Sequence, residues 1–563
     1  MEYLGYITLT IFIVTMVLTL FRKINLPVQT VLVLVSFVCL IIGAIFRFMT
    51  EGFNSAVLLP NEMIGGIILH PITALLGGLF LAGALDATQG FDALKVIIDK
   101  LKKSPIGLAG TVVILINLPV IASLPCGRII AAALLPLLFS FGYEGGMGIL
   151  TKTQLVVLIA AFTRNAMGSC GPSPIGGVGQ IGEGFLGAFF PTASDGILRS
   201  PQAFALMIGT AVTALFIKFI SEKLYPDDVT LRDKPENSEE TDKITLPKVT
   251  APFRGYLSLF IFVASLMIAI FQPFGKAMPV QTILVAGGIF IIIFCQAKIQ
   301  DLMNGIILLP VTAMASGFMA AGALAATGGF DALGVLLKSL STIQILGVAG
   351  MLAIFVQMQT ILPLSCSRIL TAALVPVLYL FGPAKFNLLT WPQLAIVMAA
   401  YMINATTSCG PSPLGGGGTM GEGQMRAESG FIKGAYTYTS MAIMAPLAAL
   451  YMKFMNFTVF SPNNPEFSQN IVTIILYTFV IIGVSIGMMS LMSKMVSNNN
   501  KKNWRLQLIY FLFSGGIAGA VLAFAVYELQ YLEIIQGFVG GVFAAFLIGV
   551  MIPKTLSVVR KTA

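Results

Sequence analysis

One segment of this chain occurs twice in strongly apolar surroundings: Leu124–Pro136 (LPCGRIIAAALLP) returns as Leu364–Pro376 (LSCSRILTAALVP), each copy carrying an arginine. Downstream, Ser169–Gly177 (SCGPSPIGG) returns as Ser408–Gly416 (SCGPSPLGG), so two polar, glycine-rich interruptions recur in the same order. Irregular backbone inside an apolar body is tolerated only where protein or a cavity satisfies its polar groups. A duplicated chain with paired breaks of this kind points to a transporter.

The setting is set by hydrophobicity. Hydrophobic residues make up 57% of the chain and charged residues 10%, and the mean hydropathy is +0.91. That balance excludes a water-soluble surface and predicts an all-α polytopic membrane protein. The 57 glycines and 27 methionines favour close helix packing over the polar/apolar alternation of a β-barrel. The net charge of +9 is no sign of nucleic-acid binding, because the basic residues sit mainly in short loops beside apolar spans. The first apolar stretch has no basic segment before it and no small-residue cleavage pattern after it, so it reads as a retained helix.

Apolar spans are expected near 4–22, 27–47 and 62–90, followed by a long apolar region from 106 to 142 interrupted at Pro125–Arg128. The interrupted region reads as a re-entrant hairpin. A broken helix follows over about 152–200, then a span at 202–221, giving five crossings and one hairpin in residues 1–221. Residues 222–254 are hydrophilic and form a solvated cytoplasmic linker. The pattern then restarts over 255–456, with a hairpin at about 343–382 and a broken helix at about 392–425. Phe91 and Phe330 are 239 positions apart, Arg128 and Arg368 are 240, and Ser169 and Ser408 are 239. Such constancy marks an internal repeat. Three additional transmembrane helices are expected in 457–563, near 468–490, 506–527 and 534–552.

An odd number of crossings makes the second copy lie inverted, and charge placement agrees. With the N-terminus outside, Arg22, Lys23, Lys95, Lys100, Lys102, Lys103 and Lys152 fall inside, as do Lys494, Lys501, Lys502, Arg505, Lys554, Arg560 and Lys561 near the cytoplasmic C-terminus. Residues 48–61 contain no lysine or arginine. A bacterial plasma membrane is the expected setting.

Over roughly residues 25–455 the chain resembles the ion transporter superfamily, most closely its divalent anion:sodium symporter branch. The order of hairpin, alanine-rich helix ending in Leu-Pro or Val-Pro, and helix broken at Gly168–Gly179 or Thr407–Gly418 is similar in both copies. The resemblance implies an elevator-type alternating-access transporter, a homodimer, without cofactor, in which hairpin tips and loop carbonyls hold sodium ions and the carboxylates of a small anion. Where that family has Ser-Asn-Thr at the tips, this chain has Cys126-Gly127-Arg128 and Cys366-Ser367-Arg368. Arginine does not ligate sodium. It does offer charge-assisted, bidentate contacts to an anion.

The expected substrate-binding set is therefore Cys126, Gly127, Arg128, Ser169, Cys170, Gly171, Ser173, Cys366, Ser367, Arg368, Ser408, Cys409, Gly410 and Ser412. Arg128 and Arg368 have a second reading as structural ion pairs with Glu183 and Glu422, which recur after the breaks. Asp86 and Arg164 break the repeat, their counterparts being Ala325 and Ile403; they are candidates for coupling protons or for a packing salt bridge. Asn165 and Asn404 recur one turn before the breaks as cavity-facing candidates, while Gln154 and Gln393 suit helix caps or bridges. Ser173 and Ser412 are donors to an anion or turn residues beside proline.

Other classes fit less well. His70 is the only histidine, so no H-E-x-x-H zinc site exists and a nucleophile triad has one candidate. No phosphate-binding G-x-x-x-x-G-K-[ST] sequence is present. A channel, a cation/proton antiporter and a metalloid exporter using the four cysteines at the breaks remain as alternatives, and the coupling ion is sodium or a proton.

Overall fold

The structure is a computed structural model. It describes residues 2–20, 26–65, 69–101, 104–122, 134–135, 138–139, 141–142, 150–173, 177–189, 196–224, 251–271, 278–298, 300–302, 309–360, 367–407, 421, 437, 439–455 and 504–560, with isolated positions 476, 479, 480, 483 and 487. Among these the chain is helical and contains no β-strand beyond an isolated bridge between Gly142 and Leu150. The first half comprises α1 (Glu2–Leu20), α2 (Val28–Glu51), α3 (Phe53–Gly65), α4 (Leu69–Ala87), α5 (Gly90–Leu101), α6 (Gly107–Ala122), α7 (Lys152–Gly168), α8 (Val178–Phe189) and α9 (Arg199–Leu224). The second comprises α10 (Phe253–Phe271), α11 (Val280–Cys295), α12 (Leu309–Ala326), α13 (Gly329–Ser341), α14 (Gly347–Met358), α15 (Ser367–Leu380) and α16 (Trp391–Thr407), then a π-helical turn Ser440–Met444 running into α17 (Ala445–Met455). Two further helices close the chain, α18 (Trp504–Tyr527) and α19 (Tyr531–Arg560).

Among the described residues, three helices are long and apolar enough to cross a membrane, at Gln29–Glu51, Arg199–Lys218 and Tyr531–Ile548. The pair Ala315–Ala326 and Gly329–Ser341 would make a fourth, bent by 78°. Along α2, Leu34, Phe37, Ile41, Ile45 and Phe48 are exposed at helical spacing, opposite the buried Val31, Val35 and Cys39. On α11, Ile289, Phe290, Ile293 and Phe294 are likewise exposed. Contiguous apolar faces of this kind are stable against lipid and not against water.

The halves interlock by exchanging their leading helices. α1 packs on α13 and α2 on α12, while reciprocally α10 packs on α5 and α11 on α4. The contacts match residue for residue. A methyl group at Gly5 would lie 2.4 Å from the Gly328 carbonyl oxygen, and one at Gly255 would lie 2.7 Å from that of Gln89. Gln89 and Gly328 are both left-handed, with φ of 62° and 74°, and each turns the chain from one helix into the next. Glycine carries that conformation at no steric cost; glutamine does not. Beside the second corner the Thr327 hydroxyl bonds that of Thr8 at 3.0 Å. The local sequences that make these contacts are themselves alike, Gly5–Leu9 (GYITL) with Gly255–Leu259 (GYLSL), and Pro27–Thr30 (PVQT) with Pro279–Thr282 (PVQT). Their spacings of 250 and 252 fall outside the 239–240 register that marks the repeat further on.

One expectation changes. The stretch 48–61, read as a loop, is largely helical: α2 runs to Glu51, turns at Gly52 with φ 92° and continues as α3. Leu59 and Met63 of α3 are buried, and Arg47 grips the Glu62 carboxylate with two bonds of 2.8 and 2.7 Å while also donating to the Ala326 carbonyl. That fork satisfies the frayed end of α12. The two described C-terminal helices pack into the bundle. α19 and α18 pack on α14, the first arm of the second expected hairpin, through glycines. A methyl at Gly540 would come 2.2 Å from the Gly350 carbonyl, one at Gly519 2.0 Å from Gly537, and the Gln357 side chain donates to the Gly515 carbonyl at 3.0 Å. The other arm, α15, packs mainly on α12 and α16. Most of the expected span near 468–490 and most of the linker lie outside the described residues.

Two outcomes test this packing. Cysteines replacing Thr8 and Thr327 in a background without native cysteines are expected to form a disulfide. Proteolysis within 222–254 then leaves the halves joined on a non-reducing gel, and separate fragments would refute the exchange. Gly540→Leu is expected to destabilise the protein by about 1–3 kcal/mol through overpacking, whereas Gly184→Ala, which meets nothing within 4 Å, leaves the unfolding midpoint in place.

Candidate functional site at the helix breaks

The first break is built from α7. Thr151 caps the helix, its hydroxyl accepting from the Gln154 backbone and the Gln154 side chain accepting from the Thr151 N–H. From Leu155 onward nearly every residue of α7 is buried. The helix ends at Gly168, and its tail folds back on itself: Ser169 Oγ donates to the Ala166 carbonyl at 2.8 Å, the Cys170 thiol to Met167 at 3.2 Å, and the Gly171 N–H to Gly168 at 2.8 Å. The chain returns as α8, where the Val178 and Gly179 N–H groups donate to the Cys170 and Gly171 carbonyls. Gly177 is required here, since a methyl on it would meet the Ser173 and Cys170 carbonyls at 2.4 and 2.6 Å. Glu183 of α8 accepts from the Leu198 and Arg199 N–H groups and pairs with Arg199 Nε at 2.8 Å. Its carboxylate thus caps α9.

The second half mirrors this as far as it is described. Thr390 and Gln393 make the same reciprocal cap for α16, and Gln393 also reaches the Val526 carbonyl at 3.0 Å. Gln154 and Gln393 are therefore caps, and Gln393 a bridge as well. At its other end α16 finishes at Thr407, whose hydroxyl donates to the Ile403 carbonyl and bonds Ser440 in the π-helical turn. A π-turn of this type is found frequently at functional sites.

Arg164 crosses between the halves. It is fully buried on α7, with Nη2 donating to Thr407 Oγ1 at 3.0 Å and lying against the Met444 sulfur. Its repeat partner, Ile403, is also fully buried, so one half supplies a guanidinium and the other the hydroxyls of Thr407 and Ser440. Buried charge at this depth is costly and marks function more often than stability. Asp86 is exposed near the end of α4, whereas Arg164 is fully buried on α7.

The two asparagines are ties. Asn165 donates to the Ile116 carbonyl of α6 at 2.8 Å and accepts from Thr210 of α9 at 2.5 Å. Asn404 donates to the Val356 carbonyl of α14 at 3.0 Å and accepts from Ser440 at 3.2 Å. Ile116 and Val356 are 240 positions apart, the spacing of the two arginine segments. Each carboxamide, 1% and 0% exposed, thus joins a hairpin arm, a broken helix and the segment that follows it. Each amide therefore braces the packing through one donated and one accepted bond.

Among the expected site residues, Ser169, Cys170, Gly171 and Ser173 come together in the first break, all buried. Ser367 and Arg368 are the first two residues of α15. Cys126, Gly127, Arg128, Cys366, Ser408, Cys409, Gly410, Ser412 and Glu422 lie outside the described residues. The alternative pairing of Arg128 with Glu183 meets a carboxylate that already holds Arg199 and two backbone amides. Sequence reading passed over Thr210, Thr407, Ser440 and Gln202. The available signal was polarity within apolar helices, strongest in the run Asn404-Ala-Thr-Thr407 and in Thr437–Ser440. No protein-family model and no curated protein matches the chain.

Asn165→Leu and Asn404→Leu are each expected to cost about 1–3 kcal/mol, from bonds lost and a buried hydroxyl left without its acceptor. Hydrogen exchange should accelerate in 107–122 for the first variant and in 347–358 for the second. Unchanged protection of both segments would show that the asparagines do not brace the arms.

Proposed function

We propose that this protein is a polytopic secondary active transporter of a small organic anion, a di- or tricarboxylate. Two inverted repeats frame the substrate path, and the protein works by elevator-type alternating access. The observation that carries the reading is the matched asparagine tie in each half, Asn165 to Ile116 and Asn404 to Val356. It makes one block of hairpin arm, broken helix and following helix, while the exchanged helices α1, α2, α10 and α11 pack on α4, α5, α12 and α13 as a second block. Two internally braced blocks are what rigid-body alternating access needs.

The charge plan suits an anion. Arg368 opens α15, where the helix dipole adds to its positive charge. Arg128 occupies the equivalent position in the first repeat, and Arg164 brings a third cation to the crossing of α7 with α16. A substrate with two carboxylates shares these charges without a sodium ion in contact with each one. Transport is coupled to protons or sodium, or runs as exchange, in a homodimer with its N-terminus outside and its C-terminus in the cytoplasm.

Reconstituted uptake of mono-, di- and tricarboxylates under imposed proton and sodium gradients tests the proposal. Saturable carboxylate uptake is expected, falling by about tenfold or more in Arg128→Gln and Arg368→Gln, the loss of one charged hydrogen bond. Arg164→Lys, which keeps the buried charge, should also lower transport, with the unfolding midpoint measured in parallel to separate a lost contact from a lost fold. Uptake unaffected by the three substitutions would remove the arginines from the site, and turnover of a metabolite without movement would point to an enzyme.

A further inference from the structure

Among the described residues, the backbone of the first break is largely satisfied, and one buried side chain beside it is not. The last four carbonyls of α7, from Asn165 to Gly168, accept from the Ser169 N–H, the Ser169 hydroxyl, the Cys170 thiol and the Gly171 N–H. The carbonyls of Cys170 and Gly171 accept from α8. Arg199 and Glu183 hold each other. Gln202, in the first turn of α9, is 0% exposed, and neither its Nε2 nor its Oε1 has a hydrogen-bond partner.

That carboxamide is aimed at the break. A methyl on Gly171 would lie 2.8 Å from Gln202 Oε1 and one on Gly179 3.0 Å from it, so both glycines keep the amide against the backbone where α7 stops and α8 begins. Thr406 of the second half flanks the same spot, its methyl 3.2 Å from that point on Gly171. A buried amide with both ends open is costly, and a leucine of similar size would remove the cost. We infer that Gln202 is a ligand-binding residue of the first break. It takes a planar group that presents a donor and an acceptor side by side, either a protonated carboxyl or a primary amide.

The choice of group follows from the two open ends. Nε2 requires an acceptor and Oε1 a donor. An ionised carboxylate satisfies Nε2 alone and sets negative charge against Oε1, and a bare cation satisfies Oε1 alone. A carboxylic acid or amide satisfies both. This inference rests on the transporter reading and sharpens it: one carboxyl of a diacid binds as the acid at Gln202 while arginines hold the other as carboxylate. The substrate then carries its own proton across, and no side chain has to titrate. Among the described residues, the charged or titratable groups on the elements that form the break are Arg164 and Cys170 on and just after α7, Glu183 on α8 and Arg199 on α9; α16 presents Thr406, which does not titrate.

The test uses the full-length protein in vesicles, with straight-chain dicarboxylates and their monoamides competing for uptake at pH values on either side of the second carboxyl pKa. Wild-type affinity for the diacid is expected to rise as pH falls, and the monoamide of a transported diacid to compete equally at both pH values. Gln202→Leu should weaken both ligands by about tenfold or more and flatten the pH dependence, with an unfolding midpoint that holds or rises. Retained affinity and pH dependence in Gln202→Leu, or a monoamide that does not compete with wild-type uptake, overturns the inference and leaves transport standing. So does a sodium requirement that Gln202→Glu strengthens, which would assign Oε1 to a cation. Wild-type protein that neither binds nor moves any dicarboxylate overturns the transporter reading itself.

Discussion

A helix that stops inside an apolar body exposes carbonyls at one end and amides at the other, and water is not there to receive them. Much of the central architecture answers that constraint. The tail of α7 turns back so that its own serine, thiol and glycine amide fill the last carbonyls. Glu183 fills the start of α9, and the Thr-Gln caps fill the starts of α7 and α16. Polar residues that look functional in such a chain are therefore divided between those that keep the backbone satisfied and those left over.

The same constraint ties the blocks together. Asn165 and Asn404 reach out of their own helices to carbonyls at equivalent points on α6 and α14 and take a hydroxyl from the next segment. Close backbone approach does the remaining work, at Gly5 and Gly255 between the halves and at Gly350 and Gly540 beneath the C-terminal pair. Small residues at helix crossings allow dispersion contacts that lipid would otherwise supply. α6, the counterpart of α14, has no such covering pair among the described residues, and Val113 within it and Ile106 just before it are 58% and 51% exposed. The C-terminal helices thus make two halves of similar sequence structurally unequal, and they do so on the hairpin-bearing block.

Legibility in the sequence tracked how local each cause was. The helix starts at Thr151 and Thr390 were readable because a cap and its reciprocal glutamine are four residues of chain. The break after α7 was readable because glycine and proline act on their own backbone. α3 was not: Pro60 and its polar neighbours resemble a loop, and burial of Leu59 and Met63 against α12 outweighs them. The kinship of α1 with α10 was hidden by differing connections, which shift the register from 239 to 250. Gln202 gave no local signal, since one glutamine in a helix's first turn is ordinary until its surroundings are known.

Sequence by itself determined that the chain is helical, that two of its segments recur, and that the first helix break falls after Gly168, because composition, periodicity and backbone-breaking residues act over a few positions. Only the tertiary structure decided which polar groups are consumed in holding it together. Asparagines one turn before the breaks proved to be braces, and Glu183 a cap. Gln202 was left open and Arg164 was set across the halves, since satisfaction of a buried group depends on what another segment, tens to hundreds of residues away, brings to it.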